Sequence, residues 1–258
     1  MTATEPKAYV TAALLIIGDE ILSGRTKDKN IGTIADFCTD MGIELKEVRV
    51  VCDEIDEIVE AVNAVRSRYT YVFTTGGIGP THDDITADAI AKAFGVDLPI
   101  NLEAQRVLEE QYKSIDVSPE RLRMARIPVG GTMIKNIVSG APGFKIGNVH
   151  VMAGVPKIMQ AMLEDLAGSL QGGAKMLSRS INCGVGESTV SAALGAIQEA
   201  FPDVKIGSYP QMGQMPIYTQ LVLRCTNEAR LEEATAQVQI MVDQVHKEKN
   251  VTLPEDIA

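Results

Sequence analysis

The chain has 258 residues, 45% of them hydrophobic and 22% charged, with a formal charge of −10 and no tryptophan. This composition supports a sizeable aliphatic core and excludes wholesale disorder. The acidic balance is shared by residues 1–170 and 171–258, which argues against a nucleic-acid partner held on a broad basic face.

Residues 1–8 are polar, include Pro6, and are expected to form a flexible tail. Residues 9–17 are a continuous apolar run, which predicts a strand buried on both faces. The run is too short to span a bilayer and lacks a basic leader, so no membrane partner is expected and the protein is read as cytoplasmic. The loop Gly18-Asp19-Glu20-Ile21-Leu22-Ser23-Gly24-Arg25 follows. Ile34, Phe37, Cys38 and Met41 then recur at helical spacing, and residues 44–51 alternate like a strand. Ile55, Ile58, Val59, Val62 and Val65 describe an amphipathic helix. A short strand is predicted over 69–75, then helices over 84–94, 102–113 and 118–126. A buried strand at 149–152 leads through Ala153-Gly154-Val155-Pro156 into a helix ending near Leu170. Alternating strands and helices with short joins predict an α/β fold with parallel βαβ units.

Gln171-Gly172-Gly173 breaks the periodicity and reads as a linker. Beyond it the order is strand (176–183), helix (187–200), strand (204–209), strand (217–226) and helix (230–247), a small α+β unit. The expected organisation is therefore a tail (1–8), an α/β domain (9–170) and a second domain (174–258). Cys38, Cys52, Cys183 and Cys225 are far apart and form no CxxC pair, so they read as small buried residues rather than zinc ligands.

Open parallel sheets bind ligands beyond the carboxyl ends of their strands. Three loops sit at such ends here, after Ile17, Thr75 and Met152, and are expected to meet in one crevice. The middle one reads Thr74-Thr75-Gly76-Gly77-Ile78-Gly79-Pro80-Thr81-His82-Asp83-Asp84-Ile85-Thr86. Its glycines allow close backbone approach, and the helix start behind it is a natural anion site. Neither the Rossmann fingerprint nor a Walker lysine is present. Asp83 and Asp84 have two readings, as caps of the following helix or as ligands of a hard divalent cation, Mg²⁺ or a similar ion, lying between carboxylate and phosphate. Asp19 and Glu20, just past the first strand, are candidates to join them. Asp84, Asp83 and Asp19 are thus the candidate metal-holding and catalytic residues. Thr75, Gly76, Gly77, Gly79, Thr81, Ser23, Asn30, Gly154 and Pro156 are the candidate ligand or phosphate contacts. His82 reads as an exposed loop histidine or a proton shuttle. Arg121, Arg123 and Arg126 read as a solvated helix face or as steering for an anion.

Taken together, Gly18-Asp19-Glu20-Ile21-Leu22-Ser23-Gly24, Asn30, the 75–86 loop, Ile127-Pro128, Ala141-Pro142-Gly143-Phe144 and Gly154-Val155-Pro156 resemble the molybdopterin-binding domain family. Within it the chain is similar to the amino-terminal domains of competence/damage-inducible (CinA) proteins, and the tail looks like the KH-like domain that follows in that branch. Eukaryotic FAD synthase amino-terminal domains look similar too. The resemblance implies a three-layer α/β sandwich with a mostly parallel sheet, plus a small α+β domain. It implies binding of a nucleotide or pterin phosphate, and in this branch a metal-dependent pyrophosphatase of ADP-ribose- or FAD-type dinucleotides. Its alternatives are molybdopterin binding, adenylyl transfer in molybdenum cofactor assembly, or a non-catalytic ligand-sensing module. Its ligand-contacting positions map onto Asp19, Gly76, Gly77, Asp84 and the Gly154-Val155-Pro156 turn, and homo-oligomers are common in it. Ala153 stands where a proline is usual, and residues 136–140 depart from the usual Asn-Pro-Val-Gly run. These 258 residues are too few to hold the carboxyl-terminal amidase domain of longer CinA proteins as well, so nicotinamide-nucleotide deamidation is not expected. Gly184-Val185-Gly186 lacks the spacing of a nucleic-acid-binding KH loop, so the tail is read as an assembly or packing module.

Overall fold

The computed structural model describes residues 9–112, 117–211 and 218–251. The expected tail 1–8 lies outside the described residues. The chain divides between Ala174 and Lys175 into two compact units.

In the first unit the elements are β1 (Val10–Ile17), α1 (Asp19–Leu22), α2 (Asn30–Met41), β2 (Ile43–Val51), α3 (Ile55–Arg66), β3 (Tyr71–Thr75), α4 (Thr86–Phe94), α5 (Leu102–Gln111) and α6 (Pro119–Leu122). A 3-10 turn (Arg123–Ala125) follows, then β4 (Thr132–Ile134), β5 (Gly143–Ile146), β6 (Val149–Met152) and α7 (Pro156–Ala167). The strands form one sheet in the order β2-β1-β3-β6-β5-β4. β2, β1, β3 and β6 are parallel neighbours, and β5 runs antiparallel to both β6 and β4.

Period-two alternation on the strands and 3.6-residue periodicity on the helices together generate the layers. On β1, Ala13, Leu15 and Ile17 face a core shared with Ile58, Val62 and Val65 of α3, Ile90 of α4 and Leu108 of α5. Ala12, Leu14 and Ile16 face the opposite core, with Ile34 and Cys38 of α2 and Met159, Met162, Leu163 and Leu166 of α7. The unit is therefore a three-layer α/β sandwich with a mostly parallel sheet. Each fully buried aliphatic side chain stabilises it by about 1.5–3 kcal/mol.

Three local features depart from the sequence reading. The helix expected from Asp84 begins two residues later at Thr86 and has no side-chain cap, because the Asp84 carboxylate is turned back into the loop. The helix expected over 118–126 is a single α-helical turn that tightens into the 3-10 turn at Arg123. Strands β4 and β5 were not anticipated: three and four residues long, they are too short to display a period.

The second unit contains β7 (Leu177–Asn182), α8 (Glu187–Ala200), β8 (Lys205–Gln211), β9 (Tyr218–Cys225) and α9 (Glu228–Lys249). Its antiparallel sheet has the order β7-β9-β8. Leu221, Leu223 and Cys225 of β9 pack with Val190 of α8 and with Leu231, Ala234, Val238 and Val242 of α9. Among the described residues, no helix is long and apolar enough to cross a membrane.

Candidate functional site

Because β1, β3 and β6 are adjacent and parallel, their carboxyl ends lie on one edge of the sheet, and the three loops meet there. They enclose a cleft of about 230 Å³. Its walls are Ile16, Ile17, Glu20 and Ile21 from the first loop, Thr75 and Gly76 from the second, and Gly154 and Pro156 from the third, closed by residues 26–30 ahead of α2. The backbone of Gly76 is bonded across the sheet, its N–H donating to the Met152 carbonyl at 3.1 Å. Gly76 sits at φ +106°, and a Cβ there would run into the Ile17 carbonyl oxygen. This position requires glycine because two strand ends approach over it.

Asn30 opens α2 and is 3% exposed. Its amide nitrogen donates to the Gly154 carbonyl at 2.8 Å, tying the helix to the turn after β6. Its own N–H and that of Ile31 donate to the Asp28 carboxylate, at 3.0 and 2.8 Å, so Asp28 caps the helix. The Asn30 amide oxygen is buried with no hydrogen-bond partner among the described residues, and so is the hydroxyl of Thr75. Lys27 and Lys29 line the same cleft and are exposed. These two lysines and Asp28 were missed by the sequence reading. The signal available was the alternating charge of Thr26-Lys27-Asp28-Lys29-Asn30 immediately before a helix.

The opposite side of the β3–α4 loop is a hollow of about 10 Å³, bordered by Gly77, Ile78, Gly79, Asp84, Arg123 and Arg126 among others. Here the polar groups are paired with one another. The Asp84 carboxylate accepts from the N–H of Gly79 at 2.6 Å and from that of Thr81 at 2.8 Å. The Thr81 hydroxyl reaches both Asp83 and Asp84, and its one hydrogen serves one of them at a time. Thr86 donates its N–H to the Gly77 carbonyl at 3.0 Å and its hydroxyl to the Gly76 carbonyl at 2.9 Å. Arg126 grips Asp88 in a two-pronged ion pair at 2.8 and 2.7 Å. The loop is thus a self-braced turn. Of its donors around the glycines, the N–H groups of Gly77 and Ile78 have no acceptor among the described residues.

The structure therefore separates the predicted residues. Thr75, Gly76, Asn30, Gly154 and Pro156 line the cleft, whereas Gly77, Gly79 and Asp84 border the hollow. Asp19, Ser23, Thr81 and Asp83 are exposed and line neither. Asp19 and Asp53 bond reciprocally, the N–H of Asp19 to the Asp53 carboxylate at 2.9 Å and the N–H of Asp53 to that of Asp19 at 3.3 Å. Burial pushes the Asp53 carboxyl above its ordinary range, and the charges of Asp19, Glu20 and Asp83 push the same way. Asp53 had gone unnoticed in the sequence, where it stands between loop residues without a motif. Asp83 is held below the usual range by the Thr81 hydroxyl. His82 is almost fully exposed, with its ring nitrogen 4.0 Å from Asp83. Among the described residues, no three His, Cys, Asp or Glu side chains gather around one point as a metal cage.

The fold and this cleft define an α/β sandwich protein with a cleft beyond the carboxyl ends of its parallel strands. Residues 13–171 match the family described as a probable molybdopterin binding domain, and the chain belongs to that family, in its CinA-like branch. Residues 175–250 match the middle domain of FAD synthase. A protein of Thermoplasma volcanium is 35% identical over 206 residues, 78% of this chain and 80% of its own. One of Sulfurisphaera tokodaii is 34% identical over 236 residues, covering 86% and 89%. The crystal structure of the protein CinA from Thermoplasma acidophilum superposes with a TM-score of 0.59 at 36% identity, over 62% of this chain and 98% of that one.

Proposed function

We infer that the protein binds a nucleotide or pterin phosphate at this cleft and hydrolyses the diphosphate bond of ADP-ribose- or FAD-type dinucleotides with the help of a divalent cation. The observation that carries the reading is the cleft at the carboxyl ends of β1, β3 and β6, lined by Gly76 and Gly154 and by the exposed Lys27 and Lys29. In a chain of charge −10, two lysines at one cleft mouth form a local attraction for an anion. The FAD synthase likeness of residues 175–250 supports a flavin-type dinucleotide.

The donor set suits a hard cation that completes its shell with ligand oxygens. Asp19 and Asp53, joined by reciprocal bonds from N–H to carboxylate, bring two carboxylates together beside the first loop, and positive charge beside them relieves their mutual repulsion. One or two of these carboxylates with phosphate oxygens is the usual arrangement for Mg²⁺. Such an ion, when bound, supplies charge neutralisation on the diphosphate and a more acidic water. The chain's own part is positional. The N–H groups of Gly77 and Ile78, which have no acceptor among the described residues, are left for a phosphate oxygen that reaches the β3–α4 loop, and Asp84 braces that loop.

Incubation of the purified protein with ADP-ribose, FAD and NAD, each with Mg²⁺, Mn²⁺ or Co²⁺, tests the reading. Metal-dependent release of a nucleoside monophosphate is the expected result; no cleavage across the panel overturns it. The family description favours a second reading, pterin binding or adenylyl transfer to a pterin. ATP-dependent formation of an adenylylated pterin, with dinucleotides left intact, would establish that one.

A further inference from the structure

We propose that the outer edge of β2 is a self-pairing interface, on which a second copy of this chain lays its own β2 antiparallel about a twofold axis. The assignment stands apart from the ligand reading above and concerns the opposite concern of the sheet, its free edge.

The first unit's sheet ends on two strands of unequal length. β4, at one edge, has three residues, and β2, at the other, has nine. An edge strand presents unpaired N–H and C=O groups that template another strand, and a very short edge is one way of avoiding this. β2 is not short, and its sequence Ile43-Glu44-Leu45-Lys46-Glu47-Val48-Arg49-Val50-Val51 contains no proline. Val48 and Val50 are 38% and 37% exposed along it.

The register with β1 fixes the face that each residue takes. Leu45 pairs with Ala12 and Glu47 with Ala13, so Lys46 is an extra residue, a bulge, and the alternation shifts by one there. Ile43, Leu45, Val48 and Val50 therefore share the face of Ala12 and Leu14, covered by α2 and α7. Glu44, Glu47 and Arg49 take the other face. A twofold axis perpendicular to a sheet keeps each face on its own side, so residues brought opposite one another must come from the same face. In an unbulged strand this forces one residue to meet its own copy at the axis. The bulge removes that constraint. Leu45 then meets Val48 of the second copy, Ile43 meets its Val50 and Glu44 meets its Arg49, each contact occurring twice.

Charge supports the same register. Glu44, Lys46, Glu47 and Arg49, read against their own reversal, pair acid with base at every place, and opposite charges across a strand pair are favourable. A bulge and a lysine on an edge also serve to prevent pairing. Here a second copy brings the same extra residue to the bulge and Glu47 to the lysine. The contacts within one copy do not compete strongly. Glu44 accepts from Tyr9 and lies 3.6 Å from Lys46, and Arg49 meets Glu47 through Nε at 2.6 Å, which uses one of five guanidinium N–H donors.

Sedimentation equilibrium of the full chain tests the proposal. The wild type is expected to reach dimer mass by about 100 μM. Glu44→Arg or Arg49→Glu alone sets like charges opposite each other twice, and each should weaken the dimer about tenfold or more. An equimolar mixture of these two variants restores opposite charges at both places and should dimerise within about threefold of the wild type. Val48→Lys, at an exposed position, should also weaken the dimer about tenfold. Circular dichroism checks that each variant folds; if the charge variants do not, Val48→Lys decides. A wild type that stays monomeric at that concentration, an assembly that a folded variant leaves unchanged, or folded charge variants that fail to recover on mixing would overturn the proposal.

Discussion

The two faces of the first unit's sheet are built from the same alternating strands, yet they treat their buried polar groups differently. On the face covered by α2 and α7, the Asn30 amide oxygen, the Thr75 hydroxyl and the Nε2 of His150 are buried without partners among the described residues. On the face covered by α3 and α4, Thr86 closes onto Gly76 and Arg126 closes onto Asp88; Thr74 alone among the strand hydroxyls there is unpartnered. A buried oxygen or nitrogen left unmade costs about 1–3 kcal/mol. A face that carries three of them is less stable than its composition allows, and two of the three line the cleft. With the proposed site at the cleft, the first is the working face and the second the scaffolding face.

The largest effect is expected where the two faces share a backbone crossing. Gly76→Ala combines a strained positive φ with a collision against the Ile17 carbonyl. Strain and overpacking each contribute about 1–3 kcal/mol, so a loss of roughly 4 kcal/mol is expected in denaturant unfolding of the first unit. A loss below about 1 kcal/mol would mean that the strand ends yield, and that the cleft's floor is not rigid.

His150 sharpens the comparison through pH. It is fully buried against Tyr71 and Phe73, and burial lowers its pKa from 6.5 to about 4. Between those values the unfolded chain binds the proton and the native one does not. Stability is therefore complete above about pH 6.5 and declines on acidification toward pH 4, by on the order of 3 kcal/mol from this group. Unfolding midpoints of the wild type and His150→Phe, compared across that window, check it. Equal acid sensitivity of the two proteins would remove His150 as the cause.

Asp84→Ala is expected to cost about 1–2 kcal/mol, since the N–H groups of Gly79 and Thr81 lose their acceptor but can turn to water. Metal-dependent turnover should be lost with it, because the loop that carries Gly77 and Ile78 loses its brace. Turnover that survives in this variant would confine Asp84 to bracing the loop.

Much of the fold could be read from residues whose environment is uniform. β1 is buried at every position except the half-buried Thr11, so its apolar run has one interpretation; the amphipathic stripe of α3 likewise. β4 and β5 could not be read, because their strand identity comes from pairing with β6 rather than from any period of their own. The site was legible in its glycines and in Asn30 as a hydrogen-bonding residue. The partner of Asn30, however, is a carbonyl 124 positions away, a contact only the three-dimensional fold makes. Asp84 shows the same limit. Its place in the motif marks it as important, but whether a carboxylate faces a cation or folds back onto Gly79 and Thr81 depends on loop geometry that a pair of adjacent aspartates does not encode.

The smallest expected effects divide the two faces most cleanly. Arg126→Ala breaks a pair whose side chains are 21% and 34% exposed, and partial solvation limits the loss to about 1 kcal/mol. Ligand affinity should be unchanged, since Arg126 belongs to the scaffolding side. Thr75→Val is its mirror image. It keeps the shape of the side chain and deletes a hydroxyl that has no partner among the described residues, so stability should hold or rise by about 1 kcal/mol, while ligand affinity at the cleft falls. A stability loss in Thr75→Val together with an affinity loss in Arg126→Ala would invert the assignment of the faces and move the ligand to the Arg123–Arg126 side of the loop. The converse pair of results places the working face at Asn30 and Thr75, because a hydroxyl that adds nothing to stability and yet supports affinity acts on the ligand.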